Sequence, residues 1–367
     1  SVRYWAEEYN IDGFRFDLMA LIDISTMEKL AQVLHDEICE HMLIYGEPWA
    51  AAETPLPGDE MTLKGAQRGK NFAVFNDHFR NTIKGGSDDQ SRGFATCEHD
   101  NEDPLITGIM GALDDFADKP TETINYVTCH DNLTLWDKVI RTRHQEEQEG
   151  FINIYEGRLT GEDAEKFDSI EEAVKENSNP YHELHDLENP EDIMKNETVR
   201  RANLCNGIVL TSQGIPFLHA GVETLRTKFG DHNSYRSPDV INMLRWERKE
   251  KFMPVFEYYR GLIELRRNHP AFQMDCEELI EDHLEFEEAE DKVVAYYITD
   301  NPLNEPWDNI LVIYNANHHD VDYSLPDDEK WNIVVDHKQA GREVLRTVQT
   351  DVRVPRYSMM VLYKNNH

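Results

Sequence analysis

Three apolar runs in this sequence each end in a carboxylate, and the first also carries an arginine. Ile11-Asp12-Gly13-Phe14-Arg15-Phe16-Asp17-Leu18-Met19 reads as a short buried strand. Side chains alternate along a strand, so Phe14 and Phe16 share one face while Arg15 and Asp17 share the other. Burying an Arg and an Asp is costly unless they serve each other or a ligand. A structural ion pair at a strand end accounts for this spacing as well as a functional pair does. Leu43-Ile44-Tyr45-Gly46-Glu47-Pro48-Trp49 repeats the pattern with Glu47. Ile124-Asn125-Tyr126-Val127-Thr128-Cys129-His130-Asp131-Asn132 repeats it with Asp131.

These types suit the opening of a sugar acetal. That reaction needs two carboxyl groups across the scissile bond and stabilisation of an oxocarbenium-like state. Asp17 qualifies as the ionised partner if Arg15 lies close, because an adjacent cation favours the charged form. Glu47 sits between an apolar strand and Pro48-Trp49, where desolvation would raise its pKa and let it hold a proton. His130 and Asp131 suit vicinal hydroxyls, although alone they also read as a satisfied buried polar pair. Trp49 and Tyr126 offer faces on which a sugar ring can stack.

For such acids to meet, separate strands must deliver them to one rim, as in a parallel α/β barrel whose strand C-terminal ends converge. The pattern fits. Residues 1–9 read as an amphipathic helix with Val2, Trp5, Ala6 and Tyr9 on one face, ahead of a strand over 11–16. Ser25 is expected to N-cap a helix reaching about residue 40, with Glu28 completing a capping box. Its stripe is Met27, Leu30, Ala31, Leu34 and Ile38, and a strand over 42–46 follows, which makes a βαβ unit. Residues 50–71 read as a long loop, 72–76 as a strand, 77–81 as a polar stretch and 85–89 as a plain loop. A helix is expected over 105–118 and a strand over 123–128. Acid-dense residues 143–196 read as a surface insertion, partly helical or mobile. A helix over 197–212, a strand-like run over 215–221 and a helix over 254–268 follow. Beyond Pro270, alternating runs at 293–297, 310–314, 331–335 and 359–363 indicate antiparallel strands.

A chain of 367 residues suits one large domain and a smaller one. The expected division is 1–272 for the barrel part and 273–367 for a C-terminal antiparallel β-sandwich. Net charge is −34, from 37 basic and 71 acidic residues, which excludes a nucleic-acid binder because that role needs a basic footprint. Neutral ligands are not repelled, and salt is expected to relieve the self-repulsion. No apolar run approaches the roughly 18 residues of a membrane span. Five cysteines without CxxC spacing argue against a structural zinc site or a disulfide framework, and Cys129 reads as a buried structural thiol. With Ser1 inside a helix and no initiator Met, the true N-terminus is expected upstream, and the compartment is not legible.

Gly13-Phe14-Arg15-Phe16-Asp17, Gly46-Glu47-Pro48-Trp49 and Val127-Thr128-Cys129-His130-Asp131-Asn132 resemble three conserved regions of the α-amylase superfamily of glycoside hydrolases. More narrowly, Phe16 to Met19 together with Tyr126 to Lys138 resembles the type I pullulanases. So do Phe75-Asn76-Asp77 to Gly85, Ser212 to Leu218, and Leu225-Arg226-Thr227-Lys228 to Asn233-Ser234-Tyr235. The likeness runs over about 1–270, apart from the insertion.

The resemblance implies a (β/α)8 barrel, of which this chain supplies about strands four to eight, and a retaining mechanism on α-1,6 linkages of pullulan, amylopectin or glycogen. It implies Asp17 as nucleophile, Glu47 as general acid/base, Asp131 as transition-state stabiliser, Arg15 as orienting residue and His130 as a sugar contact. Leu18 and Met19 stand where ordinary α-amylases carry a Lys-His pair, which implies debranching. Trp49, Asn233 and Tyr235 are further expected substrate contacts, Asn233 and Tyr235 being equally readable as a polar loop. No cofactor is required. Structural calcium is common in the superfamily, with several ligands expected upstream. The superfamily's first conserved region and a Tyr-Asn-Trp-Gly-Tyr motif are absent, so a preceding segment of the same enzyme is expected to complete the barrel. Isoamylase-like hydrolysis, glucan transfer and an inactive glucan-binding fragment remain open at this point.

Overall fold

The computed structural model describes residues 1–365 apart from 144–150, 178–179, 182–183, 185–186, 188 and 342. Helix α1 (Val2–Tyr9) leads through Asn10, in a left-handed conformation, into strand β1 (Gly13–Phe16). Helix α2 (Ile24–Glu37) carries the chain to β2 (Leu43–Gly46), and β3 (Ala73–Phe75) follows the long loop. Helices α3 (Asp77–Lys84) and α4 (Glu102–Ile109) precede β4 (Thr123–Asn125), and α5 (Leu135–Arg141) comes next. In the insertion a hairpin, β5 (Ile154–Tyr155) and β6 (Arg158–Leu159), precedes α6 (Gly161–Lys166) and α7 (Ile170–Asn177). The rest of the 143–196 expectation lies partly outside the described residues. Helix α8 (Glu197–Thr211) then leads to β7 (Ile215–Pro216).

Strands β1, β2, β3, β4 and β7 lie in that order as one parallel sheet. This is the five-strand part of a (β/α)8 barrel. Ile44 and Val74 pack with Met27, Ala31 and Leu34 of α2, while Ala73, Phe75, Ile124 and Tyr126 form an aromatic cluster on the opposite face. The period-2 alternation therefore separates a helix-facing side from an inner side.

Short helices α9 (Asp239–Asn242) and α10 (Arg248–Lys251) precede α11 (Met253–Asn268), and α12 (Glu277–His283) opens the C-terminal part. There follow β8 (Leu284–Glu287), β9 (Val293–Thr299), β10 (Asn309–Asn315), β11 (Val321–Ser324), β12 (Trp331–Val335), β13 (Arg346–Val348), β14 (Asp351–Val354) and β15 (Ser358–Lys364). A six-stranded antiparallel sheet, ordered β13-β12-β15-β10-β9-β8, faces the pair β11-β14. Leu311 and Ile313 point into that sandwich, and Ile310, Val312 and Tyr314 point the other way, against α8 and α11. The sandwich is thus seated on the barrel's helices through a shared core. Tyr296 Oη donates to the Thr211 carbonyl at 2.7 Å at the seam.

Several expectations need correction. The cap of α2 is Asp23, not Ser25: Thr26 N–H donates to Asp23 Oδ1 at 2.9 Å, and the Ser25 hydroxyl donates to the same carboxylate. The polar stretch after residue 76 is helix α3, capped by Asn76. The helix expected over 105–118 runs from Glu102 only to Ile109. Among the described residues no helix is long and apolar enough to cross a membrane.

The hydrogen bonds from Ser25 and Thr26 hold the Asp23 carboxyl down at about 2, against an ordinary 3.8. A depressed carboxyl contributes stability that is complete above the unfolded value and lost as pH falls through the folded one. The stability difference between wild type and Asp23→Ala, measured by denaturant melts, is therefore expected to shrink as pH drops from 3.8 to about 2. Ser25→Ala is expected to cost less at neutral pH than Asp23→Ala.

Candidate active site

Strand register brings the first two acids together. Phe16 pairs with Gly46, so the next residues, Asp17 and Glu47, leave the sheet side by side. The Glu47 N–H donates to the Phe16 carbonyl at 3.1 Å. Only glycine fits at 46, because a Cβ there would lie 2.5 Å from the Phe16 carbonyl oxygen and 2.9 Å from the Met19 sulfur. Arg15 donates from Nη1 to Asp17 Oδ1 at 2.7 Å and from Nη2 to Glu47 Oε1 at 2.5 Å. Leu18 adopts a left-handed conformation (φ 44°) that turns its N–H onto Glu47 Oε2 at 2.8 Å.

The two carboxyls live in different environments. The Asp17 side chain is 67% exposed and that of Glu47 only 4%. Burial pushes the Glu47 carboxyl above its ordinary 4.5, and the adjoining Asp17 carboxyl adds to the rise. The Leu18 N–H and Arg15 oppose it. Arg15 thus holds the two carboxyls side by side on one guanidinium. One acid that holds a proton beside one that faces solvent is the division of labour a glycosidase needs.

The third acid arrives after β4. His130 and Asp131 lie at the surface, 62% and 57% exposed, with His130 Nε2 3.5 Å from Asp131 Oδ2. Cys129, half-buried just before them, packs against the Phe75 and Tyr126 cluster together with Tyr45 and Trp49, the residues two before and two after Glu47. Asn132 has φ 62°, and the Asp88 carboxylate stabilises that turn. It accepts from Asn132 Nδ2 at 2.6 Å and from the Leu133 N–H at 3.2 Å. Lys228 Nζ ties the other side, donating to the His130 carbonyl at 3.1 Å and to Ser234 Oγ at 3.0 Å. Asp137, wholly buried, accepts from the Lys228 N–H at 2.8 Å and from the Thr227 hydroxyl, so the 227–237 loop is anchored on α5.

Below the acids, Phe75 meets Tyr126 at 4.8 Å, Phe217 at 5.4 Å and Tyr45 at 5.6 Å between ring centroids, with the Arg15 guanidinium 6.0 Å from its own ring. Trp49 is half-buried at the edge of this cluster. Tyr126, expected to stack on a sugar, is instead buried, and its hydroxyl accepts from Arg80 Nη1 at 2.8 Å. Met19, expected at the substrate, is fully buried in the helix-facing core and presents no surface; Leu18 is half-buried beside Glu47. Asn233 and Tyr235 lie on the loop that Lys228 fastens to His130, and Tyr235 is 66% exposed. Neither side chain bonds to the three acids among the described residues. Sequence reasoning missed Asp88, Lys228 and Asp137. The 85–89 stretch looked like a plain loop, yet fully buried Lys138 donates to the Asp89 and Ser91 carbonyls at 2.8 Å and fixes it. Asp137 and Lys138 inside the otherwise apolar run 135–140 were the available signal for a buried polar network.

Known proteins similar to this chain include pullulanases. The family described as the pullulanase all-beta domain matches residues 280–339. The chain is 33% identical over 357 residues to the pullulanase of Bacillus subtilis (strain 168), covering 95% of this chain and 43% of that one. In three dimensions it resembles the pullulanase from Bacillus acidopullulyticus, with TM-score 0.82, 35% identity, and 99% of this chain against 39% of that one. It also resembles a pullulanase from Anoxybacillus sp. LM18-11 complexed with maltotriose, with TM-score 0.79, 32% identity, and 99% of this chain against 44% of that one. The chain thus spans less than half the length of these relatives.

If Asp88 sets the 130–132 turn, Asp88→Ala removes both acceptors. The Leu133 amide is then expected to lose protection in hydrogen exchange while amides in α2 keep theirs. Unchanged protection at Leu133 would remove Asp88 from the site.

Proposed function

We propose that this chain, which corresponds in sequence and fold to the C-terminal portion of the type I pullulanases, carries the acids of an α-1,6-glucan debranching hydrolase that works with retention. The observation that carries the reading is the Arg15 guanidinium gripping Asp17 and Glu47 at once. Retaining enzymes hold their two carboxyl groups about 5–5.5 Å apart, and inverting ones about 6.5–9.5 Å apart to admit a water. Two carboxylates that accept from the two terminal nitrogens of one guanidinium support the shorter spacing.

In the first step an Asp17 carboxylate oxygen attacks the anomeric carbon. The bond from that carbon to the O6 of the main chain breaks, its electron pair goes to O6, and Glu47 supplies the proton. A glucosyl ester of Asp17 results. In the second step Glu47, now a carboxylate, takes a proton from water as the water oxygen attacks the same carbon. The ester bond breaks and Asp17 is regenerated. We assign the ring hydroxyls during charge development to Asp131 and His130, which are exposed on their turn, and a stacking face to Trp49. The ligands are α-glucans: pullulan, amylopectin or glycogen.

Strand β1 is an edge of the sheet, and Tyr4, Trp5 and Tyr9 of α1 are 55%, 44% and 58% exposed. An unpaired strand edge beside an apolar surface calls for a neighbour. We assign that neighbour to further strands of the same enzyme, which complete the barrel. Calcium is not assigned: among the described residues the one close cluster of three metal-type donors is Cys129, His130 and Asp131, whose sulfur and nitrogen suit calcium poorly.

Substitutions in the enzyme carrying this chain test the reading. Asp17→Ala is expected to abolish turnover on pullulan while glucan binding is largely kept, and Glu47→Gln to lower kcat by about 10²–10⁴-fold. Maltotriose should accumulate from pullulan; new branch linkages would indicate transfer instead. The alkaline limb of kcat/KM should lie above 4.5, because burial raises Glu47. Arg15 favours the ionised form of Glu47, so Arg15→Met is expected to move that limb to higher pH while lowering kcat.

A further inference from the structure

We propose that Cys129, His130 and Asp131 chelate a borderline-soft divalent cation of the zinc type, and that its binding inhibits the enzyme by occupying Asp131. The inhibitory half rests on the role given to Asp131 above; the site itself does not. One sulfur, one imidazole nitrogen and one carboxylate oxygen, from three consecutive residues, all lie within 4.8 Å of one another. Ligands on a tetrahedral zinc, at about 2.0–2.3 Å from the metal, stand roughly 3.5 Å apart. The His130 Nε2 to Asp131 Oδ2 separation is already 3.5 Å. The Cys129 sulfur lies within 4.8 Å of both, so a small shift of its side chain closes the set.

Access and donor chemistry agree with this. The His130 and Asp131 side chains are more than half exposed, so a hydrated ion reaches them from solvent. Cys129 is half-buried, not fully enclosed as its apolar run suggested. The turn itself is held by Asp88 and Lys228, so the three donors need little ordering when the ion arrives. A sulfur, nitrogen and oxygen set selects zinc, cadmium, cobalt or copper over magnesium and calcium. Three protein ligands leave a fourth position for water.

The test uses cadmium and zinc on the active enzyme in a Cys39→Ser background, because Cys39 is exposed and would bind soft metals independently. One equivalent of Cd2+ is expected to produce a sulfur-to-metal charge-transfer band in the ultraviolet, and Cys129→Ser is expected to abolish it. Cys129→Ser should retain metal-free turnover yet need at least about tenfold more Zn2+ for half-inhibition. Mg2+ and Ca2+ should neither inhibit nor displace Cd2+. Absence of the band, its survival in Cys129→Ser, or equal zinc sensitivity in the two proteins would overturn the site. A Cys129-dependent band with no inhibition would overturn the coupling to catalysis and, with it, the role of Asp131, while leaving the chelate standing.

Discussion

The structure depends on one guanidinium. Glu47 is desolvated against the strands and lies beside a second carboxyl group, an arrangement that like-charge repulsion opposes. Arg15 offsets this by giving each acid a separate charged hydrogen bond from one planar, always-protonated group. A lysine could not do so, since its ammonium is a point charge without a fork. Strand register, the glycine at 46 and the left-handed turn at Leu18 all serve to bring both acids within reach of that fork.

The third acid is held by a different principle. Asp131 sits on an exposed turn that gains its shape from buried charges on its flanks. Lys138 fixes the loop that presents Asp88, Asp88 fixes Asn132 and Leu133, and Lys228 fixes the His130 carbonyl. Burial pushes the Lys138 and Lys228 amines down and the Asp137 carboxyl up, so each depends on its partners. Removing one partner from such a network leaves another buried and unmatched. The 227–237 loop, the insertion and α5 are therefore coupled: Phe229 and Ile241 pack with Ile152, Ile154 and Ile170 of the insertion.

Much of this was legible in the sequence. Strands β3 and β4 are buried throughout, and the largely apolar runs around β1, β2 and β4 each lead to an acid, so the barrel part and those acids stood out. Arg15 on β1 and Asp17 just past its end were expected on one face, and their side chains do bond. What stayed hidden depended on distant partners. Asp88 meets residues more than forty positions on, and nothing near it in sequence announces them. Met19 looked like a substrate contact because the motif continues through it, but the turn at Leu18 swings it into the core. Strands β8, β11, β13 and β14 escaped because they are short, partly exposed and interrupted by polar residues. The cap at Asp23 was misplaced because Ser25 also offers a hydroxyl, and only geometry shows that it serves Asp23 rather than the backbone.

The account rests on the separation that Arg15 imposes, and stereochemistry reports it most directly. Proton NMR of the earliest product from a branched α-glucan, recorded before mutarotation, distinguishes the two outcomes. Release of the α-anomer is the result expected when a carboxylate stands close enough to attack in place of water. Release of the β-anomer would mean that water attacks directly across a wider gap, and would contradict the arrangement described here.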